Sequence, residues 1–211
     1  MRPRVKICGV TRAGDVEAIL ALGADMIGLN FYPGSPRCLD TDAASELRRR
    51  VGDRARVVGV FVNATAAGVR AIDARVGLDL LQFHGDEDAA FVAGFGSRAI
   101  KVMRVGDSFD AGALVAYPEV WGFLFDNGSA GDYGGSGTTW RFEAVADLRI
   151  AQPHLVAGGI GPDNVREVCR RCRPWGVDLS SGVESAPGEK DPRLLERLFE
   201  EIDDVEDAQA S

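Results

Sequence analysis

Cys8 is the first candidate for acid–base chemistry, because it lies at the end of a predicted strand. It ends the short apolar segment Val5 to Cys8, and because side chains alternate along a strand, Lys6 and Cys8 share one face. A neighbouring ammonium favours the thiolate, which is the basic form of cysteine. The alternative is a small buried apolar side chain, as single cysteines usually are. Lys6 has an alternative partner in Asp178, which lies on the last predicted strand.

Asp126 is the second candidate for acid–base chemistry. It directly follows the apolar residues Trp121 to Phe125. Apolar surroundings raise the pKa of a carboxyl group, so this aspartate is predicted to be a general acid. The alternative is a loop aspartate that caps the next helix.

Two adjacent segments near the C-terminus predict a phosphate site. Gly158 and Gly159 follow one apolar segment, and Ser180, Ser181 and Gly182 follow the next. Glycines expose backbone N–H groups, and N–H groups at the start of a helix bind anions. A phosphate-loop Gly-Lys-Ser/Thr motif and a dinucleotide fingerprint are both absent from the sequence, so neither ATP nor NAD is indicated.

Arg37 and His84 are candidates for binding a substrate. Arg37 is the only cation of the segment Phe31 to Cys38 and suits a carboxylate, although a surface arginine is the alternative. His84 ends the segment that contains Gln82 and shares its face, whereas His154 precedes its strand and is expected at the opposite end. These two histidines and the lone Cys169/Cys172 pair provide too few ligands for a predicted metal site.

The elements that must position these residues alternate regularly. Each of eight short apolar segments is followed by an amphipathic segment of helical length, which predicts a single-domain α/β fold, the (β/α)8 TIM barrel. The alternative is an open doubly wound sheet with two misassigned strands. Residues 1–203 are predicted to form the barrel and residues 204–211 an acidic tail. The predicted strands are Val5–Cys8, Met26–Phe31, Val57–Val62, Leu80–Phe83, Ala99–Arg104, Val120–Phe125, Leu155–Ala157 and Gly176–Leu179, and the predicted helices span about 14–22, 42–51, 66–76, 86–94, 111–117, 142–148, 162–173 and 192–202.

Composition limits the classes of partner. The chain of 211 residues has a net charge of −8, and six acidic residues fall among the last twelve, so the remainder is nearly neutral. Without a basic run, nucleic acid and anionic membranes are not expected partners. Lys6 interrupts the apolar run near the N-terminus and no apolar stretch reaches membrane-spanning length, so a cytoplasmic protein is expected. The four cysteines are expected to be free thiols.

Several motifs occur in one order along nearly the whole chain, and together the series resembles the phosphoribosylanthranilate isomerase family of tryptophan biosynthesis. Small residues at Asn127 to Asp132 and Thr138-Thr139 before Trp140 depart from the family pattern. The motifs are Lys6-Ile7-Cys8-Gly9, Phe31-Tyr32-Pro33 through Arg37, Gly59 through Asn63, Gln82-Phe83-His84-Gly85, Gly134 through Gly137, Ala157 through Ile160, and Val177 through Glu184.

The resemblance implies an Amadori rearrangement of N-(5′-phosphoribosyl)anthranilate, without cofactor or metal. The protein is expected to bind a small phosphosugar as a monomer or a homodimer. It implies Cys8 as general base and Asp126 as general acid. It also implies that Arg37 binds the anthranilate carboxylate and that the phosphate binds at the two loops. His84, at the mouth of the barrel, is also expected to bind the substrate. The alternatives are another phosphosugar barrel, such as an epimerase or the histidine-pathway isomerase, an isomerase acting in both pathways, or a non-catalytic barrel.

Overall fold

The structure is a computed structural model, and it describes residues 2–105, 109–126, 143–146, 148 and 150–210. For residues 143, 144 and 206–210 it describes the backbone alone. Eight parallel strands form a closed barrel, so the predicted TIM barrel is confirmed and the open sheet is wrong. The strands are β1 (Arg4–Cys8), β2 (Met26–Asn30), β3 (Arg56–Phe61), β4 (Leu80–Phe83), β5 (Ala99–Arg104), β6 (Gly122–Asp126), β7 (His154–Ala157) and β8 (Gly176–Leu179).

Alternation along the strands separates two apolar regions. Side chains that point inward fill the barrel, and the intervening side chains form a larger core between the strands and the helices. On β5, for example, Ile100 and Val102 belong to the interior and Ala99 belongs to the outer core. The strands are therefore apolar on both faces, which is the pattern that parallel sheets require.

The helices follow the predicted order, with shifted ends. The 111–117 segment is a 3-10 helix (Ala111–Ala116) and not an α-helix, and α6 begins three residues later than predicted, after a loop rich in glycine. The last helix continues to Ala210, and Val205 is buried, so it extends beyond the predicted end at residue 202. The α-helices are α1 (Ala13–Ala21), α2 (Thr41–Val51), α3 (Ala66–Val76), α4 (Ala89–Ala93), α5 (Glu143–Ala146), α6 (Val165–Cys172) and α7 (Pro192–Ala210).

A small hairpin lies between β8 and α7, and the sequence analysis missed it. After a 3-10 turn at Ser181–Val183, β9 (Glu184–Ala186) pairs antiparallel with β10 (Glu189–Lys190). The hydroxyl of Thr11 donates to the carbonyl of Gly188 at 2.6 Å, which fastens the hairpin to the loop after β1. The hairpin therefore covers the edge of the barrel mouth where the first and last strands meet.

The cysteines carry no disulfide, as predicted, since all four are free. Cys169 and Cys172 are buried on one face of α6, and burial raises the pKa of the Cys169 thiol to about 12. Both therefore belong to the core. Among the described residues, no helix combines the length and apolar character needed to cross a membrane.

A buried ion pair joins the first strand to the last. The Lys6 Nζ lies 2.8 Å from Asp178 Oδ1, and these residues are register partners on β1 and β8. Burial opposes the charge of Lys6, but Asp178 and Cys8 together outweigh burial and raise the pKa of the ammonium. The predicted pairing of Lys6 with Asp178 is confirmed, and it leaves Lys6 with a carboxylate partner besides Cys8.

Replacing Asp178 by Asn tests this pair. The substitution leaves a buried ammonium without its counter-charge, so we expect the free energy of unfolding in urea to fall by about 3–5 kcal/mol. Glu46→Gln is the matched control, because Glu46 pairs with Arg50 at 3.1 Å on the surface, and its loss costs less than about 0.5 kcal/mol. If Asp178→Asn is too unstable to measure, Lys6→Met with Asp178→Leu removes both charges and should restore stability. Equal stability of Asp178→Asn and the wild type would contradict this role.

Candidate active site

The predicted site residues converge on one pocket at the carboxyl ends of the strands. Inward-facing side chains of β1, β4 and β6 reach this pocket, and the loops after β7 and β8 form its opposite wall. This is the face of such barrels that carries catalytic groups. All nine predicted site residues line it: Cys8, Arg37, His84, Asp126, Gly158, Gly159, Ser180, Ser181 and Gly182.

Cys8 ends β1 and is partly exposed to the pocket. Its neighbour across the ladder is Gly28, where a Cβ atom would lie 2.8 Å from the Cys8 Sγ. Glycine at position 28 therefore makes room for the thiol. Burial raises the pKa of Cys8, while Lys6 and Lys190 pull it down without prevailing. Lys6 thus favours the thiolate, as predicted, but in the protein without ligand the desolvation of Cys8 outweighs the effect of the ammonium.

Asp126 is the last residue of β6 and is 3% exposed, so it is not the loop capping residue that was the alternative. Its surroundings are not purely apolar, because the His84 Nε2 lies 2.9 Å from Asp126 Oδ2. The other ring nitrogen of His84 is also engaged, since Nδ1 lies 3.1 Å from Gln82 Nε2. A substrate contact through either nitrogen of His84 would have to replace one of these bonds.

Arg37 is held in place rather than free on the surface. Its guanidinium donates to both carboxylate oxygens of Glu184 on β9, at 2.9 Å from Nε to Oε1 and 2.5 Å from Nη2 to Oε2. Gly9, with a φ of +72°, allows this path, because a Cβ there would collide with the Arg37 side chain. Burial opposes ionisation of Glu184, but hydrogen bonds from Arg37 and Lys190 keep its pKa below the ordinary value.

Lys190 on β10 connects this pair to the first strand, and the sequence analysis missed it. Its buried ammonium donates to Glu184 Oε1 at 2.7 Å, to the carbonyl of Cys8 at 2.7 Å and to that of Ser180 at 3.2 Å. Burial lowers the pKa of Lys190, and Glu184 opposes this effect. No spacing in the sequence points to Lys190, because its partners belong to separate loops that only the hairpin brings together.

The loops after β7 and β8 have the geometry of an anion site. Gly158 and Gly159 have φ values of +93° and +65°, which favour glycine. The loops lie against each other, since a Cβ on Gly182 would collide with the carbonyl of Ile160. A short 3-10 helix follows β8, and a phosphate in such barrels commonly binds beside an extra helix at this place.

A second buried network supports the loop that carries His84. Lys101 on β5 donates to the carbonyl of Gly85 at 2.9 Å and to Glu87 Oε2 at 3.2 Å. Glu87 also accepts from the backbone N–H of Asn63 and of Gly85, at 2.8 and 3.0 Å. The sequence analysis did not predict a role for Lys101 or Glu87. The position of Lys101 within an otherwise apolar strand was a signal of a buried, paired lysine. The motif Gly134 through Gly137 and the atypical segments Asn127 to Asp132 and Thr138 to Trp140 lie outside the described residues.

Comparison with known proteins assigns the family. The sequence profile of the N-(5′-phosphoribosyl)anthranilate (PRA) isomerase family matches residues 5–201. The chain belongs to this family. Its sequence is 44% identical to the isomerase of Bordetella petrii, over 98% of both chains, and 46% identical to that of Myxococcus xanthus, over 90% of this chain and 92% of the relative.

Solved structures of phosphoribosylanthranilate isomerases have the same fold. The Thermotoga maritima enzyme superposes with a TM-score of 0.88 at 30% identity, over 96% of this chain and 99% of that one. An isomerase in complex with reduced 1-(o-carboxyphenylamino)-1-deoxyribulose 5-phosphate gives 0.83 at 29% identity, with the same coverage. The predicted family is thereby confirmed.

The titration of Cys8 can be followed by alkylation with iodoacetamide in a Cys38→Ser background, because Cys169 and Cys172 are buried. Burial raises the pKa of Cys8. The rate of alkylation should therefore rise with pH through a midpoint above the ordinary thiol pKa of about 8.5. Lys190→Met should move that midpoint further upward, since it removes a charge that lowers the pKa. Arg12→Met, which removes an exposed cation of the β1–α1 loop, serves as control. A midpoint below the ordinary thiol value would contradict the effect of burial.

Proposed function

We propose that the protein catalyses the conversion of N-(5′-phosphoribosyl)anthranilate to 1-(2-carboxyphenylamino)-1-deoxyribulose 5-phosphate, an Amadori rearrangement in tryptophan biosynthesis. The observation that carries the proposal is the shared pocket. Cys8 and Asp126 line it together with Arg37 and the glycines and serines of two adjacent loops. An acid, a base, a cation for the carboxylate and an anion site thus occupy one cavity.

Asp126 would act first, as the general acid. Its proton passes to the ring oxygen of the ribose, the bond between this oxygen and C1′ breaks, and the anthranilate nitrogen supplies the electron pair for a C1′=N iminium. The hydrogen-bond contact with His84 Nε2 supports this role, because it holds the carboxyl group at the pocket wall. The iminium is itself the electron sink, so the step needs no cofactor or metal.

Cys8 would act second, as the general base. Its thiolate removes the proton from C2′, and the electrons of that bond neutralise the iminium to give an enolamine, which tautomerises to the ketone. The thiol is protonated near neutral pH in the free protein, because burial raises its pKa. A bound iminium adds a positive charge to those of Lys6 and Lys190, so the thiolate becomes favoured when the step requires it.

Arg37 and the two loops would hold the ends of the substrate. Within the described residues, Nη1 of Arg37 makes no hydrogen bond, so the guanidinium can bind a carboxylate without leaving Glu184. Phosphate binding by Gly158, Gly159, Ser180, Ser181 and Gly182 fixes the opposite end and positions the reacting carbons between them. We also propose that His84 contacts the substrate through the carbon atoms of its ring, because both ring nitrogens are engaged by Gln82 and Asp126.

The family assignment favours this isomerase over the other phosphosugar barrels and over a binding role. We further propose that the protein acts in the cytoplasm on a small phosphosugar, as a monomer or a homodimer. Support for the last point is limited to relatives, since the Thermotoga maritima isomerase is dimeric and has been converted to monomers. The nearly neutral barrel is consistent with the absence of a nucleic-acid partner.

Substitution of the acid and the base tests the reaction. Freshly generated phosphoribosylanthranilate is fluorescent, and its signal should decay rapidly with the wild-type protein in the presence of a chelator. Cys8→Ser and Asp126→Asn should each lower kcat by about 100- to 10,000-fold, because proton transfer is lost. Both variants should still bind the reduced product analogue. Cys38→Ser and Asp53→Asn make the same replacements at exposed positions and should retain full activity. Full turnover by Cys8→Ser or Asp126→Asn would refute the assignment of that residue.

The role of Arg37 can be tested with two reduced product analogues, one carrying the carboxylate and one lacking it. Arg37→Gln should weaken binding of the carboxylate analogue about 10- to 100-fold, the effect of losing a charged hydrogen bond. Binding of the second analogue should change less than about twofold, because it has no group for Arg37 to contact. Isothermal titration calorimetry measures both affinities. An equal loss for the two analogues would show that Arg37 acts on the pocket as a whole and not on the carboxylate.

A further inference from the structure

Gln82 is a buried polar residue that the reaction described above does not use. It is 1% exposed, lies on β4 inside the barrel and lines the pocket. Its amide nitrogen lies 3.1 Å from Nδ1 of His84, and its Oε1 has no hydrogen-bond partner among the described residues. A buried amide with only this one contact lowers the stability of the folded protein, which points to a functional role for Gln82.

The contacts of Gln82 continue through His84 to Asp126. The three side chains form a chain of two hydrogen bonds, 3.1 Å from Gln82 Nε2 to His84 Nδ1 and 2.9 Å from His84 Nε2 to Asp126 Oδ2. In a neutral imidazole one nitrogen donates and the other accepts, and the bond at one nitrogen decides the state of the other. An amide N–H that donates to Nδ1 therefore places the ring proton on Nε2, facing Asp126.

We propose that Gln82 is a positioning residue, which holds His84 as the neutral Nε2–H tautomer so that this N–H donates to Asp126. The inference rests on the proposed role of Asp126 as general acid. The Nε2–H donor stabilises the carboxylate that remains after Asp126 has given its proton to the substrate. It also fixes the orientation of the carboxyl group before the reaction, since one oxygen is tied to the ring.

The opposite tautomer would work against the reaction. With the proton on Nδ1, the Nε2 atom presents a lone pair, which accepts a hydrogen bond from protonated Asp126 and repels the ionised form. The acid would then be bound more tightly before the transfer than after it. In the observed orientation Gln82 disfavours this state, because its amide N–H group and not its Oε1 faces Nδ1.

Other charged groups surround the chain and must remain unchanged in a test. Lys6 and Asp178 form their own pair at 2.8 Å on β1 and β8, and Cys8 lies above Lys6 on β1. Arg104 on β5 is paired with Asp86 at 3.1 Å and approaches the carbonyl of His84. These groups lie on strands other than β4 or in the loop after it, so Gln82→Met alters none of them directly.

The tautomer of His84 can be observed directly by long-range ¹H–¹⁵N correlation NMR of the uniformly ¹⁵N-labelled protein. The chain contains two histidines, so a single His154→Gln variant assigns both sets of signals. His154 is the first residue of β7, at the end of the strand opposite the pocket, and burial lowers its pKa, so it serves as a neutral reference. We expect Nε2 of His84 to carry the proton in the wild type. Protonation at Nδ1, alone or together with Nε2, would overturn the proposal.

Gln82→Met supplies the functional arm of the test. It keeps the side-chain volume and removes the donor, so His84 should populate both tautomers, and kcat should fall about tenfold with KM changed less than twofold. The alkaline limb of the kcat profile should move to higher pH, because the Nδ1–H tautomer stabilises protonated Asp126. Gln152→Met makes the same replacement at the opposite end of the barrel and should leave kcat and the profile unchanged.

The outcomes separate this proposal from the proposed function. Full activity of Asp126→Asn would refute the general acid whatever the tautomer of His84, and the NMR result does not depend on turnover. An unchanged pH profile and unchanged His84 signals in Gln82→Met would refute the role of Gln82 while leaving the isomerase intact. Thermal unfolding of Gln82→Met excludes a purely structural effect, since a loss of stability alone would lower the active fraction without moving the profile.

Discussion

The ion pair of Lys6 and Asp178 is the constraint on which the site depends, because it places charge inside the barrel directly below the reacting groups. Closure of the barrel brings β1 beside β8, so the pair forms only when the fold is complete. Desolvation makes such a pair expensive, and apolar side chains of the same size would fill the space at lower cost. Its two members act on Cys8 in opposite directions, since the Lys6 ammonium lowers the pKa of the thiol and the Asp178 carboxylate raises it.

The chain uses its lysines in a consistent way. The sequence contains three, Lys6, Lys101 and Lys190, and each is buried and paired with a carboxylate: Asp178, Glu87 and Glu184. A lysine ammonium is a compact charge with three donors, which suits a site where carbonyls and a carboxylate converge from different loops. The arginines supply most of the exposed ion pairs and, at Arg37, a planar fork for two carboxylate oxygens. Each buried lysine thus links a strand to another strand or loop of the barrel.

The sequence predicted the fold and most of the pocket because both follow from local patterns. The apolar strands and their alternation with helices specify a parallel barrel, and the end of each strand then places Cys8, Asp126 and the glycine loops at one face. The hairpin of β9 and β10 was missed, since its strands have only three and two residues and no apolar pattern. Partners such as Glu184 for Arg37 and Lys190 for Cys8 could not be predicted, because 147 residues separate the first pair and no periodicity relates them.

The same limit explains why the environment of each reacting group differed from the expectation. A sequence shows which residues precede Asp126, and these are apolar, but the neighbour that matters is His84 from another strand. The sequence likewise shows that Lys6 lies two residues from Cys8. It does not show that the Lys6 ammonium binds Asp178 or that the Cys8 thiol is desolvated. The two reacting groups thus have different surroundings: ammonium groups lie near the base, and the hydrogen-bonded side chains of His84 and Gln82 lie beside the acid. This asymmetry fits the reaction, because the base must gain negative charge before it acts and the acid gains it afterwards.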